Sequence, residues 1–192
     1  IKTHLGIRYS KLNANPEGHE SATWNPSLGL IISPLGNVNL FGSYTTTTNL
    51  RSANNPLLDG GTVGAADAVQ FEAGVKSDWL DERLRFNLTV FDIKNDNLSY
   101  SILNADGTAT GFYGLAGQLR RKGVEVELIG KILPNLQVMT GWAYLDAQYH
   151  NSPAYVEGSA PMNAPKHTAN GWLNYRFDSG LLSRFDIGAG IY

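Results

Sequence analysis

The sequence predicts an all-β chain, a segment of a large antiparallel up-and-down transmembrane β-barrel. Three observations predict it: apolar and polar residues alternate with period two, the alternating runs last nine to twelve residues, and the connections between them are long and short in turn. Alternation gives a strand one apolar and one polar face. A strand tilted by about 45° needs roughly 9–11 residues to cross a bilayer core, whereas globular strands cluster near five or six. Long loops at one end and tight turns at the other are the plan of an outer-membrane barrel.

Nine strands are expected, near 3–11, 24–33, 38–47, 69–79, 84–95, 119–130, 136–147, 167–177 and 184–192. In the fourth, Val69, Phe71, Ala73, Val75 and Trp79 alternate with Gln70, Glu72, Gly74, Lys76 and Asp78. In the fifth, Leu84, Phe86, Leu88 and Val90 alternate with Arg85, Asn87 and Thr89. The sixth sets Val124, Val126 and Leu128 against Gly123, Glu125 and Glu127. The eighth sets Ala169, Leu173, Tyr175 and Phe177 against Thr168, Asn170, Asn174 and Arg176, with Trp172 out of step. Seven of the eight prolines fall between strands and Pro26 near the start of one, as a residue without a ladder donor requires. The expected connections 12–23, 48–68, 96–118 and 148–166 are long. They alternate with 34–37, 80–83, 131–135 and 178–183, which hold the turn residues Pro34-Leu35-Gly36-Asn37, Leu133-Pro134-Asn135 and Asp178-Ser179-Gly180.

Composition narrows the function. The chain has 192 residues, 15 basic and 17 acidic, a balance that leaves no electrostatic footprint for nucleic acid. It has no cysteine, hence no disulfide, thiolate metal site or cysteine nucleophile. No uncharged run can be one membrane helix, since the longest, Ser21 to Leu50, carries Pro26, Pro34 and several glycines. Nine open strands would leave two unpaired edges, and single-chain bacterial barrels have even strand numbers. Because both ends fall within strands, the chain reads as a fragment of a longer barrel.

Aromatic placement fits two interfacial girdles: Trp79, Phe86, Phe177 and Phe185 lie beside short turns, and Tyr9, Tyr44, Trp142 and Tyr144 beside long connections. On the polar face, Glu72, Lys76, Arg85, Glu125, Glu127, Arg176 and Asp186 would point into a lumen. The same alternation would also suit a soluble sheet with one wet face.

Four blocks carry a family resemblance. One is Asn25-Pro26-Ser27-Leu28-Gly29-Leu30-Ile31-Ile32-Ser33-Pro34, followed by Asn37-Val38-Asn39-Leu40-Phe41-Gly42-Ser43-Tyr44. The next is Phe71-Glu72-Ala73-Gly74-Val75-Lys76-Ser77-Asp78-Trp79 with the run from Leu84 to Ile93. Then come Arg120-Arg121-Lys122-Gly123-Val124-Glu125-Val126-Glu127 with Gly141-Trp142-Ala143-Tyr144-Leu145-Asp146-Ala147, and last Ala164-Pro165-Lys166-His167-Thr168. In this order and spacing they resemble the barrel of TonB-dependent outer-membrane receptors, the ferric-siderophore type in particular.

The resemblance implies that residues 1–192 are part of a single barrel domain, about nine strands of 22, without its plug domain or closing strands. It also implies a place in the outer membrane, in contact with its lipid. The cargo would be a ferric siderophore, with iron entering only as chelated substrate and no resident cofactor. The partners would be the protein's own plug and TonB with ExbB and ExbD. On that reading the polar-face residues Glu72, Lys76, Arg85, Glu125, Glu127 and Arg176 meet the plug. The loop aromatics Phe112, Tyr113, Tyr149 and Tyr155 are the candidates for contact with the chelate, because siderophores present flat or apolar surfaces.

Enzymatic chemistry has no foothold. His4, His19, His150 and His167 lack metal-ligand spacing, and no phosphate loop or nucleophile elbow occurs. Asp59-Gly60-Gly61 and Asp106-Gly107 read as turn chemistry. Two other readings stand beside the receptor: a porin-like or adhesin barrel, and a soluble β-sandwich binding module.

Overall fold

The computed structural model describes residues 1–13, 20–50, 55–183 and 185–192. Pro16, His19 and residue 184, the expected start of the last strand, lie outside them. Nine strands follow one another: β1 (Lys2–Asn13), β2 (Glu20–Leu35), β3 (Val38–Asn49), β4 (Ala66–Trp79), β5 (Leu84–Leu103), β6 (Ala109–Leu133), β7 (Leu136–His150), β8 (His167–Arg176) and β9 (Asp186–Ile191). Each pairs antiparallel with the next in a single sheet of order β1 to β9. All nine expected strands are present.

The expected long loop 96–118 is corrected. β5 and β6 run on as a paired hairpin and turn only at residues 104–108. Bulges hid this extension from a period-two reading. Asn97 (φ 54°) adds a residue on β5, and extra residues on β6 include Gly111 (φ 84°), so the apolar parity slips repeatedly. Pairing nonetheless continues through Leu98↔Gly117, Ser99↔Leu115, Tyr100↔Gly114 and Ser101↔Tyr113. The turn is closed by Asn104 and Gly107, with Gly107 at φ 83°, and Asp106 accepts from the Thr108 amide at 2.9 Å and its hydroxyl at 2.6 Å. At the other end β8 stops at Arg176 and β9 starts at Asp186, so 178–183 belongs to a wider connection in which the Phe177 amide still donates to the Phe185 carbonyl.

Direct cross-strand partners share a face, so the register assigns every side chain. One face carries the row Asn39–Lys76–Asn87–Glu127–Gly141–Asn170 and, above it, Phe41–Gly74–Thr89–Glu125–Ala143–Thr168. The other carries Leu40–Val75–Leu88–Val126–Trp142–Ala169. Little lies inside this single sheet: no large side chain among the described residues is fully buried, while Leu5 (80% exposed), Phe71 (56%) and Ile187 (62%) stand open on the apolar face.

The apolar face has a slanted upper edge. Tyr9 packs on Trp24 with ring centroids 4.7 Å apart, and Tyr44 on Phe71 at 5.0 Å. Tyr144 stands beside His167 at 5.2 Å. Followed through the register, Tyr9 is four residues beyond the row of Leu5, Leu28, Tyr44, Phe71, Asp92, Lys122 and Asp146, and Tyr144 is two residues short of it. The aromatic edge therefore drops by about 20 Å along the strands over about 29 Å across them. That slant of about 35° falls at the lower end of the 35–45° tilt of outer-membrane barrel strands. A level membrane boundary crossing tilted strands produces this drift, and it sets the aromatics beside the long connections as a girdle.

Candidate functional site

Two regions could do chemistry: the polar face and the long-connection end. Glu72, Lys76, Arg85, Glu125, Glu127 and Arg176 all lie on the polar face, as their parity predicts. Lys76, Glu125 and Glu127 line one hollow of about 600 Å³ together with Asn87, Thr89 and Tyr192. A hollow reaching from β4 past β9 makes this face concave.

The six residues fall into two groups. Arg85 and Arg176 are paired within the sheet near the short turns. Arg85 Nε is 2.8 Å from Asp78 Oδ1, and Arg176 meets both carboxylate oxygens of Asp186 at 2.9 and 3.2 Å. Farther up, the charges are held by neutral groups. Glu72 accepts from Gln70 at 2.6 Å, Glu127 accepts from Asn87 at 2.7 Å, and Lys76 Nζ sits 5.1 Å from the Phe41 ring centroid. Among the described residues Glu125 has neither a hydrogen bond nor an ion pair. Arg121 donates from Nη2 to Asn95 but leaves its buried Nε without a partner, as Asn87 leaves Oδ1. This mid-height wall can therefore hydrogen-bond and ion-pair with a body placed against it.

At the long-connection end the four aromatics separate into pairs. Phe112 and Tyr113 lie on the projecting part of β6, beside the register break between Tyr113 and Ala109. Phe112 is 40% exposed, while Tyr113 is drawn against the connection after β3 by its amide's bond to the Pro56 carbonyl at 2.9 Å. Tyr149 and Tyr155 stack on each other, centroids 4.2 Å apart and planes 14° from parallel. Around them the 151–166 loop is tied down: Glu157 lies 2.6 Å from His150 Nδ1 and accepts from the Asn151 amide at 2.8 Å. The His150 ring and that amide hold the Glu157 carboxyl below the usual carboxylate range. Among the described residues no cluster of His, Asp and Glu could hold a metal ion.

Sequence reasoning missed one set. On the apolar face, just beyond the aromatic edge, stand Asp92, Lys94, Arg120, Lys122 and Asp146. The signal was there: after Val90 the apolar parity of β5 continues as Asp92 and Lys94.

A concave polar wall, an uncovered apolar back with a slanted aromatic edge, and two long connections beside a projecting hairpin at one end define part of a transmembrane β-barrel. The family model "TonB dependent receptor-like, beta-barrel" matches residues 1–192. The chain belongs to this family of outer-membrane transport receptors. It is 31% identical over 166 residues to the metal-pseudopaline receptor CntO of Pseudomonas aeruginosa, covering 86% of this chain and 23% of that protein. It is 30% identical over 132 residues to the ferrichrome outer membrane transporter/phage receptor of Escherichia coli, covering 69% of this chain and 17% of that one. The chain thus spans about a quarter or less of the length of these curated relatives. Among solved structures, the ferripyoverdine receptor of the Pseudomonas aeruginosa outer membrane superposes with a TM-score of 0.78 at 22% identity, over 97% of this chain and 25% of that one. The siderophore receptor PiuA from Acinetobacter baumannii superposes with a TM-score of 0.73 at 21% identity, over 98% of this chain and 30% of that chain.

Proposed function

We propose that this chain is part of the barrel wall and outer loops of a receptor that imports a ferric siderophore across the outer membrane, driven by TonB with ExbB and ExbD. The observation that carries the reading is the slanted aromatic edge, which separates a lipid-facing belt from a zone beyond it and leaves the polar face turned inward. Receptors for metal-pseudopaline and ferrichrome among the relatives support a chelated metal as cargo. Residues 1–192 form part of one barrel domain, and its plug is the body against the polar wall.

On this reading Glu72, Lys76, Glu125 and Glu127 meet the plug, since no ion pair within the sheet engages them. Arg85 and Arg176 stand lower, where the rim pairs with Asp78 and Asp186 hold them beside the plug's base. Phe112 and Tyr113 reach the chelate from the projecting hairpin, and the Tyr149–Tyr155 stack offers it a flat apolar edge. The protein performs no catalysis and holds no resident cofactor; iron passes through as chelated cargo.

The test is uptake of radioiron supplied on individual siderophores by cells carrying the full-length receptor. Uptake of one siderophore class that disappears on deletion of TonB or addition of a protonophore is expected. Uptake that survives both, with passage of unrelated small solutes, would establish the passive-pore reading instead.

A further inference from the structure

Arg121 stands on the inner face of β6, toward the long-connection end, four residues beyond Glu125 and three beyond Val124, the partner of the girdle residue Tyr144. Three residues are about 10 Å along a strand, so Arg121 lies past the membrane edge, at the mouth of the barrel. Around it the same face of β5, β6 and β7 carries Phe91, Ile93, Leu119, Leu145 and Tyr149 and no second charge. The inner wall, polar at the height of Glu125 and Glu127, is here apolar and aromatic apart from one guanidinium and the Asn95 amide that holds it.

The sheet does not neutralise that guanidinium. Nη2 donates to the neutral Asn95 side chain, Nε is buried without an acceptor, and no ion pair reaches Arg121 among the described residues. Asp92 and Asp146 point to the opposite, lipid-facing side, where Arg120 and Gln148 engage them. On its own face the carboxylates of Glu72 and Glu125 belong to positions about 12–13 Å away between Cα atoms. A half-buried cation in apolar surroundings without a counter-charge bears an unrecovered desolvation cost, and an oxyanion brought over it recovers that cost. The Tyr149–Tyr155 stack lies within reach of the same charge: burial and Tyr155 push the Tyr149 phenol up, and the Arg121 guanidinium pulls it down.

We infer that Arg121 selects the cargo by charge: it pairs with an oxyanion of a ferric chelate of net negative charge, a carboxylate or catecholate complex, while the Tyr149–Tyr155 stack covers a flat part of the same molecule. A guanidinium offers parallel N–H donors to such oxygens, and the apolar wall around it strengthens the attraction. The same wall rejects a chelate with a pendant ammonium, which would set like charges together with no neighbouring carboxylate to relieve them. The inference rests on the siderophore-receptor reading given above and narrows its substrate class.

The experiment is equilibrium binding of radioiron to the purified full-length receptor in non-ionic detergent. The iron is supplied as an anionic ferric tris-catecholate, an anionic ferric polycarboxylate, a neutral ferric tris-hydroxamate, and the same hydroxamate bearing one ammonium group. One of the two anionic complexes should bind tightest. Arg121→Gln should weaken that binding about ten- to hundredfold while sparing the neutral and cationic complexes, and Arg121→Lys should keep most of the preference. Heat-modifiable gel mobility reports whether each variant is folded, and the wild-type ranking decides even where the Gln variant is not. Tightest binding of the neutral or the cationic complex overturns the inference. So does an Arg121→Gln variant that weakens all complexes alike, the result expected if the cation serves the plug. Binding of none of the four, with TonB-dependent radioiron uptake also absent, would overturn the siderophore reading and the inference with it.

Discussion

A side-chain carbon placed on Gly188 would stand 2.6 Å from Cζ2 of Trp172, and one on Gly190 would stand 2.5 Å from Cε3 of the same ring. The indole of β8 lies down across the bare backbone of β9, on the polar face. Covering two glycines keeps a bulky ring from standing out into the concave side. At Gly188 the indole is the sole close obstacle, so Gly188→Ala should destabilise by about 1–3 kcal/mol and Trp172→Leu should restore much of the loss. Urea unfolding midpoints of the full-length receptor check this; an unrelieved double variant would contradict the packing.

Gly130 should behave differently. It has φ 142°, and a Cβ there would lie 2.0 Å from the Arg83 carbonyl oxygen and 2.8 Å from the Leu84 Cα. These are backbone atoms of the paired strand, which no side-chain truncation can move. Gly130→Ala should sharply reduce the yield of heat-modifiable folded receptor, with no second-site relief from shortening Arg83 or Leu84.

The two faces differ in their tolerance of charge. Val126→Arg, in the middle of the outward belt, should cost about 2–4 kcal/mol of folded barrel. Glu127→Arg, the adjacent residue on the polar face, should cost less, because that side chain stays out of lipid. Folding yields into vesicles of defined lipid compare the two, and equal penalties would remove the lipid-facing assignment.

The loop latch has a pH dependence of fixed sign. Glu157 titrates below its ordinary value because His150 and the Asn151 amide favour the carboxylate. Its contribution is therefore fully present above the usual carboxylate range and is lost as pH falls through the lowered value. Protection of the Asn151 and Gly158 amides from hydrogen exchange, taken relative to the intrinsic rate at each pH, should stay high at neutral pH and fall only in acid. Glu157→Gln should abolish that acid step.

Period-two alternation made the strands legible because a half-covered sheet writes its faces directly into the sequence; Val124-Glu125-Val126-Glu127 is the plainest case. Reading failed where the period slips. The bulge at Asn97 concealed the upper halves of β5 and β6, so Phe112 and Tyr113 sit on a projecting hairpin rather than in a free loop. Trp172 looked anomalous because its compensation, two glycines on the next strand, appears only once the register is known. The Tyr149–Tyr155 stack and the Arg85–Asp78 pair were likewise beyond pattern reading, since each depends on a chain reversal.

The central claim is that one face meets water and the plug while the other meets lipid. With no cysteine in these 192 residues, single replacements at Glu125, Val126, Glu127 and Leu128 in the full-length receptor read it directly, each carrying a nitroxide label. Positions 126 and 128 should be relaxed by lipid-soluble oxygen and shielded from an aqueous nickel chelate, and both should exceed 125 and 127 in oxygen exposure. Loss of that alternation, or its reversal, would contradict the account.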